Sequence, residues 1–180
     1  EALFPVGHPY RHSTIGSMAD LDAASLTDLR NWFIDNYAPN NVVLSLTGDI
    51  DAATARPMVE RWFGEIERGS EVTPVQAAPV TLAAEKTREM IDQVPQTRVY
   101  RAWTGPGINH ADAVPLSIGM NILGGLASSR LDNVLVRDEQ LATSVSAFNW
   151  QSEQVGILMA QMDIKPGVDR AEAEARLDAV

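Results

Sequence analysis

The sequence predicts an α+β protein made of two-layer α/β sandwiches with mixed or antiparallel sheets. Apolar residues recur at helical spacing over 26–37, and they alternate with polar or small residues, as in a strand, over 41–47. Two further strand-like runs, 142–150 and 155–163, are separated by a short polar turn, which predicts an antiparallel hairpin. Helices arranged around such a hairpin are expected to pack on one face of the sheet.

The first long helix is predicted to begin at Ser25, which can form a capping box with Asp28, and to end before Pro39. The strand over 41–47 follows it, and Asp51 can cap a second helix. The first helix should bury one apolar stripe, which consists of Leu26, Leu29, Phe33 and Tyr37. The second should bury a similar face, which consists of Met58, Val59, Trp62, Phe63 and Ile66.

A change in composition marks the expected domain boundary. Residues 69–85 contain proline among small residues and show neither helical nor strand periodicity, so they are interpreted as a linker. Residues 1–68 are then the C-terminal part of a first α+β domain, and residues 86–180 are most of a second one. Because the sequence starts at Glu1 and stops within a helical pattern, we expect a segment of a longer protein in which the first domain is incomplete.

Within the second domain, Gly119 falls inside a predicted helix, where a missing side chain would let a neighbouring element approach closely. The predicted elements are, in order, strands over 87–92 and 97–103, a helix from Asp112 to Leu123, a short helix opened by a Ser129–Asp132 capping box, the hairpin, and a helix over 168–180.

The composition excludes several classes of function. The net charge is −10, from 24 acidic and 14 basic residues, and no basic patch is present that would neutralise phosphates. Binding of nucleic acid or of an anionic membrane surface is therefore not expected. Cysteine is absent, which excludes disulfides, thiolate catalysis and cysteine-ligated zinc within this segment. No apolar run is long enough to predict a membrane span.

Candidate catalytic chemistry is sparse. His8 and His12 lie four residues apart, as in some zinc sites, but Arg11 occupies the place of a catalytic Glu and would repel a divalent cation. His110 lies in a predicted loop near Asn109 and Asp112, with no third candidate ligand nearby, and is interpreted as a surface residue. Ser129 has no adjacent base, and helix capping accounts for it. The sequence therefore predicts no catalytic residue and no metal ligand in this segment.

A series of short motifs runs through the whole chain. In the first part they are His8-Pro9-Tyr10, Ile15-Gly16, Asp20-Leu21, Tyr37–Asn41, Gly48–Asp51 and Trp62-Phe63-Gly64. In the second part they are Val94-Pro95-Gln96, Leu123–Gly125, Ser128–Leu131, and Leu141-Ala142 before Ser144-Val145. Taken together and in this order, they closely resemble the pitrilysin/insulinase family of zinc metallopeptidases, which includes the processing peptidases.

The resemblance implies a parent protein in which paired halves, built from repeated α+β domains, enclose a chamber. Family enzymes bind zinc through an H-x-x-E-H motif and a further Glu, and a zinc-bound water attacks the peptide bond. Those ligands would lie upstream of Glu1, so zinc is expected in the parent and not in this segment. The implied partners are a peptide or unfolded protein substrate and a second family half or subunit. The sequence leaves the compartment open between the periplasm and the cytoplasm of a bacterium.

The resemblance also identifies two positions of interest. Many family members have a substrate-contacting Arg and Tyr where this sequence has Val136 and Thr143, and a shift of register to Arg137 places Ser144 opposite the Tyr. The leading hypothesis is a segment of a zinc-dependent endopeptidase that contributes scaffold and chamber wall. The alternatives are a non-catalytic family subunit that pairs with an active zinc-bearing partner, and an unrelated α+β binding module.

Overall fold

The computed structural model describes residues 2–180 and divides the chain into two compact units. One unit combines the N-terminal residues up to His12 with Gln76–Val180, and the other consists of Ser13–Val75. The predicted division into residues 1–68, a linker over 69–85 and residues 86–180 stays a prediction.

The unit formed by Ser13–Val75 is helical. It contains α1 (Met18–Ala23), α2 (Leu26–Asn36), a 3₁₀ turn (Pro39–Asn41) and α3 (Ala52–Phe63). The capping box before α2 is confirmed, because Ser25 Oγ accepts from the Asp28 amide at 3.1 Å and Asp28 Oδ2 accepts from the Ser25 amide at 3.0 Å. The cap of α3 is also confirmed, with Asp51 Oδ1 accepting from the Thr54 amide at 2.7 Å.

The apolar faces of α2 and α3 are exposed, so the prediction of two buried stripes is wrong for the part of the chain that is described. Phe33 and Trp62 expose 59% and 69% of their surface. The predicted strand over 41–47 is not formed either; it runs without a partner strand within residues 2–180. Helical spacing specifies a helix through local backbone hydrogen bonds, whereas burial and strand pairing require a sheet that Ser13–Val75 does not supply.

Two asparagines hold the joint between α2 and the extended segment after it. Asn41 Nδ2 donates to the Asn36 carbonyl at the end of α2, at 2.8 Å. Asn40 Nδ2 donates to the Ser70 carbonyl at 2.9 Å, and Asn40 Oδ1 accepts from the Gly69 amide at the same distance. The Pro-Asn-Asn sequence therefore ends the helix and fastens the segment that follows α3.

The other unit is built on a three-stranded antiparallel sheet with the order β1-β3-β2. Its strands are β1 (Arg98–Pro106), β2 (Ala142–Gln151) and β3 (Val155–Ile164). The predicted hairpin is confirmed, with Ala147 opposite Ala160, and Val99 of β1 lies opposite Met162 on the other side of β3. The predicted strand over 87–92 is not formed; its Ile91 is 98% exposed and no strand lies beside it within the described chain.

Helices cover one face of this sheet, as expected for a two-layer α+β domain. The layer contains α4 (Ala113–Met120), which continues into a π-helical turn (Asn121–Gly125), a second π-helical segment (Asp132–Asp138), and α5 (Arg170–Ala179). The main core lies between the two layers and consists of Val99, Met120, Leu131, Leu135, Ala142, Ala147, Ala160, Met162, Ile164, Ala173 and Leu177. Within residues 2–180, no helix is long and apolar enough to cross a membrane.

The capping box predicted at Ser129 is absent. Ser129 Oγ is buried and has no hydrogen-bond partner within residues 2–180. The Asp132 carboxylate instead accepts from Arg137 Nε at 2.7 Å, across the π-helical segment. The prediction was wrong because it assumed an α-helix, whereas a π-helical turn spaces its partners differently and Arg137 takes the carboxylate.

Truncation of a side chain in the main core should lower the free energy of unfolding. Leu135 is completely buried, so Leu135→Ala should lower the free energy of unfolding by about 3 kcal/mol through lost burial and a residual cavity. The same truncation at Leu126, which is exposed, should change it by less than about 0.5 kcal/mol. Urea denaturation followed by circular dichroism measures both, and equal effects at the two positions would contradict this core.

Candidate functional site

The loop that contains His8 and His12 packs against the sheet and does not form a metal site. Phe4 and His8 stack with their ring centroids 4.8 Å apart. His8 Nδ1 accepts from the Tyr10 amide at 3.2 Å, which leaves Nε2 as the donor to the Ala78 carbonyl at 3.1 Å. Both ring nitrogens of His8 are therefore occupied by the backbone, and His12 is exposed.

This loop is attached to the turn between β2 and β3. Phe4, Ala77 and Val155 form a second small core, and Tyr10 packs at its edge. The Tyr10 hydroxyl accepts from the Gln154 amide at 3.4 Å, and Gln154 Oε1 accepts from the Ala77 amide at 2.5 Å. The His8-Pro9-Tyr10 motif thus anchors the start of the chain to the hairpin.

Val136 and Thr143, the two positions that the resemblance associates with substrate, offer neither a guanidinium nor a phenol group. Val136 lies in the second π-helical segment, is half-buried and packs against the main core. The neighbouring Arg137 donates to Asp132 and to the Ala127 carbonyl, so its guanidinium is bonded to residues that precede it closely in the sequence. Thr143 is exposed and lies at an irregularity in the pairing of β2 with β3, between Ala142 and Ser144.

The Thr143 side chain belongs to a polar network at this end of the sheet. Gln96 Nε2 donates to Thr143 Oγ1 at 3.0 Å, and Thr143 Oγ1 lies 3.3 Å from the Asp163 carbonyl oxygen, to which it can donate. The Asp163 carboxylate accepts from Arg98 Nε at 2.5 Å and Nη2 at 2.9 Å, and from Ser144 Oγ at 2.8 Å. One carboxylate therefore links all three strands.

The electrostatics of this network favour a permanent ion pair. Hydrogen bonds from Arg98 are the main cause that lowers the pKa of Asp163, while burial of the carboxyl opposes them and Ser144 adds to them. The same bond raises the pKa of Arg98. A carboxylate that is ionised and already accepts three hydrogen bonds is poorly suited to take a proton from a substrate. The network is a lock across the strands rather than a general base.

Sequence reasoning missed this lock. The signal was present as a single acidic residue, Asp163, at the end of the mainly apolar strand-like run 155–163, and as Arg98 at the start of an earlier strand. A buried charge requires a partner, so the sequence alone predicts a basic residue beside Asp163 if that carboxylate is buried. Choosing Arg98 among 14 basic residues required the register of β1 on β3, in which Arg98 lies directly opposite Asp163.

Residues 2–180 do not fit a zinc site. No group of three or more His, Cys, Asp or Glu side chains comes close enough to hold a metal ion within that range. The histidine that is best placed by sequence, His8, uses both ring nitrogens in backbone hydrogen bonds. No step of a metal-dependent reaction can therefore be assigned to these residues.

The whole series of elements from α2 onward has a counterpart among known proteins. The family model described as "Peptidase M16 inactive domain" matches residues 23–180. The chain belongs to this family. The match includes α2, α3, the complete sheet and the helices on it, and so confirms the resemblance to zinc metallopeptidases that the motifs indicated.

Curated relatives of this M16-family chain include bacterial and mitochondrial proteins. It is 28% identical over 151 residues to the uncharacterised zinc protease YmxG of Bacillus subtilis, and 26% identical over 171 residues to the zinc protease PqqE of Helicobacter pylori. It is 24% identical over 164 residues to a probable mitochondrial-processing peptidase subunit beta of Schizosaccharomyces pombe. These alignments cover 84%, 93% and 84% of the chain, but only 36%, 38% and 35% of the relatives.

A solved structure shows the same fold. The crystal structure of a peptidase M16 inactive domain from Pseudomonas fluorescens matches with a TM-score of 0.72 and 19% identity. The match covers 98% of this chain and 43% of that one. The chain therefore has the architecture of M16-family domains, and it spans well under half of the proteins it resembles.

The Arg98–Asp163 lock predicts a pH-dependent contribution to stability. Asp163→Asn should lower the free energy of unfolding at pH 7 by about 1–3 kcal/mol, because it removes the charge that Arg98 and Ser144 face. The folded-state pKa of Asp163 lies below its unfolded value of 3.8, so wild type keeps this stabilisation above that pH and loses it as pH falls through the folded pKa. The difference between wild type and variant should therefore shrink in acid.

Urea denaturation at pH 7 and at stepwise lower pH measures this difference. Asp138→Asn is the matched control, because it makes the same change at an exposed position of the second π-helical segment. A difference between Asp163→Asn and wild type that stays constant from neutral to acidic pH would rule out the lock as its source.

Proposed function

We propose that this chain is the scaffold and chamber-wall segment of a zinc-dependent endopeptidase, and that the zinc ligands lie in parts of the parent protein outside residues 2–180. The observation that supports it is the family match over 23–180, together with relatives that are named zinc proteases. The absence of a ligand cluster within the described residues supports the second half of the proposal.

The proposed substrate is a peptide or an unfolded protein, and the proposed partner is a second family half or subunit. Relatives that carry the word "subunit" in their names support a paired arrangement. Val136 packs against the main core and Thr143 is hydrogen-bonded to Gln96, so neither offers the charged or aromatic group that would clamp a substrate. In this proposal the partner half supplies those contacts.

The second candidate is a non-catalytic family subunit that closes the chamber around an active partner. The description "inactive domain" of the matching family model favours it, as does the lack of substrate-contacting groups at Val136 and Thr143. The two candidates make different predictions for the parent protein alone. Under the first, the isolated parent contains zinc and cleaves peptides; under the second, it does neither until an active partner is added.

Zinc content and peptidase activity of the parent test the proposal. We expect the parent to contain zinc, to cleave a quenched fluorescent peptide, to lose activity with a chelator and to regain it with added zinc. The 180-residue chain alone should not bind zinc stoichiometrically and should not cleave the peptide, because residues 2–180 contain no ligand cluster. Zinc bound tightly by this chain and lost on His8→Ala would contradict the proposal.

The second candidate is favoured instead if the zinc-free parent is inactive alone and a mixture with a second family subunit cleaves the peptide. A parent and mixture that both lack zinc and activity would contradict both candidates.

A substitution at Thr143 tests the proposed division of roles. In an active parent, Thr143→Ala should change kcat/KM by less than about twofold, because this hydroxyl is bonded to Gln96 and Asp163 and contacts no substrate in the proposal. Ser128→Ala removes a hydroxyl at another exposed position and is the control for effects of substitution and purification on kcat/KM. A rise in KM of tenfold or more with unchanged kcat would place Thr143 in the substrate site.

A further inference from the structure

One histidine ring joins the N-terminal loop, residues 2–12, to the segment that leads to β1. His8 Nδ1 accepts from the Tyr10 amide at 3.2 Å and so caps the 3₁₀ turn Pro9–Arg11. His8 Nε2 lies 3.1 Å from the carbonyl oxygen of Ala78, which is far from it in the sequence. Because one ring nitrogen accepts and the other donates, the two bonds together require a neutral ring that is protonated on Nε2.

A second proton on the His8 ring does not fit this arrangement. The charged ring has an N–H at both nitrogens, so Nδ1 would face the amide N–H of Tyr10 as one donor against another. The bond to the Ala78 carbonyl could remain, but the cap of the 3₁₀ turn would be lost. Protonation of His8 therefore acts first on the conformation of its own loop.

Two cations already bind the loop that contains His8. Arg11 Nη1 donates to the Phe4 carbonyl at 2.7 Å, and Lys86 Nζ donates to the Ala2 carbonyl at 3.2 Å. A proton on His8 would add a third positive charge to this loop. Repulsion between like charges disfavours the charged form of a side chain, so these cations favour neutral His8.

The elements packed against the loop supply no acidic partner for His8. Segment 76–80 contains no titratable residue, and Glu153 is the acidic residue of the turn between β2 and β3. Within residues 2–180, the one ion pair between a histidine and a carboxylate joins His110 to Asp112. No carboxylate of the described chain therefore stabilises a charged His8 ring.

The position of His8 determines how two aromatic residues meet the hairpin. Phe4 is buried in the second small core with Val155, and its ring is stacked on that of His8. Tyr10, whose amide binds Nδ1, accepts from the Gln154 amide through its hydroxyl at 3.4 Å. Loss of the cap would move Tyr10 and so weaken the attachment of the loop to the turn between β2 and β3.

We propose that His8 is a pH-sensitive latch, which fastens the N-terminal loop to segment 76–80 and to the hairpin when its ring is neutral and releases the loop when its ring is protonated. Histidine changes charge between about pH 5 and 8. Because the attached loop requires the neutral ring, attachment should be strongest above this range and should weaken as pH falls through it. The latch does not depend on the proposed peptidase function.

Hydrogen exchange measured by nuclear magnetic resonance on the 180-residue chain tests the latch. The Tyr10 and Gln154 amides are the donors of the two bonds concerned. After correction for the intrinsic effect of pH, their protection should fall by about fivefold from about pH 7.5 to about pH 5. The amide of Met162, in the middle layer of the sheet, should keep its protection, which distinguishes release of the loop from unfolding.

The three histidines of the chain provide matched controls. His8→Gln introduces a neutral side chain that can donate and accept, so protection of the Tyr10 amide should no longer depend on pH. His12→Gln and His110→Gln make the same change at exposed positions and should keep the pH dependence of wild type. In wild type, the midpoint of the change should coincide with titration of the His8 ring signals.

Three outcomes would overturn the proposal. The first is protection of the Tyr10 and Gln154 amides that is equal at both pH values in wild type. The second is a midpoint that follows the ring of His12 or His110, or a pH dependence that persists in His8→Gln. The third is an equal loss of protection at Met162, because acid would then unfold the whole sheet rather than release the loop.

Discussion

The register of β3 between its two neighbours is the constraint on which the sheet-bearing unit depends. Side chains alternate between the faces of a strand, so Met162 enters the main core while Asp163 points to the opposite face and meets Arg98 and Ser144. A slip of one residue would exchange the two and place an unpaired carboxylate in the apolar core. The ion pair and the apolar face therefore specify the same register, because a one-residue slip would break the ion pair and would also remove Met162 from the core.

This register also positions the rest of the unit. The turn between β2 and β3 presents Val155 and Gln154 to the N-terminal loop, where Phe4 and Tyr10 pack and His8 is held by backbone hydrogen bonds. The helical layer closes the other face of the sheet. Several apolar helix faces stay exposed in the described chain, on α2, on α3 and along Val114, Ile118 and Ile122 of α4 and the turn after it.

Much of the local structure was predictable, because its causes are local. The capping box at Ser25, the cap at Asp51 and the hairpin after Ala142 all follow from residue types at short, fixed separations. The prediction at Ser129 was wrong because the same residue types in a π-helical context make different bonds. For the candidate site, the sequence identified positions such as Thr143, but its partners Gln96 and Asp163 come from distant parts of the chain.

By itself, the sequence determined α2, α3, the hairpin and the family, since each depends on spacing and order along the chain. It also excluded cysteine chemistry and made a zinc site of His8 and His12 implausible, a conclusion that the bonds of His8 explain. Only the tertiary structure decided which apolar faces are buried and which arginine meets Asp163. Burial and ion pairing are relations between distant segments, and periodicity contains no information about which segments meet.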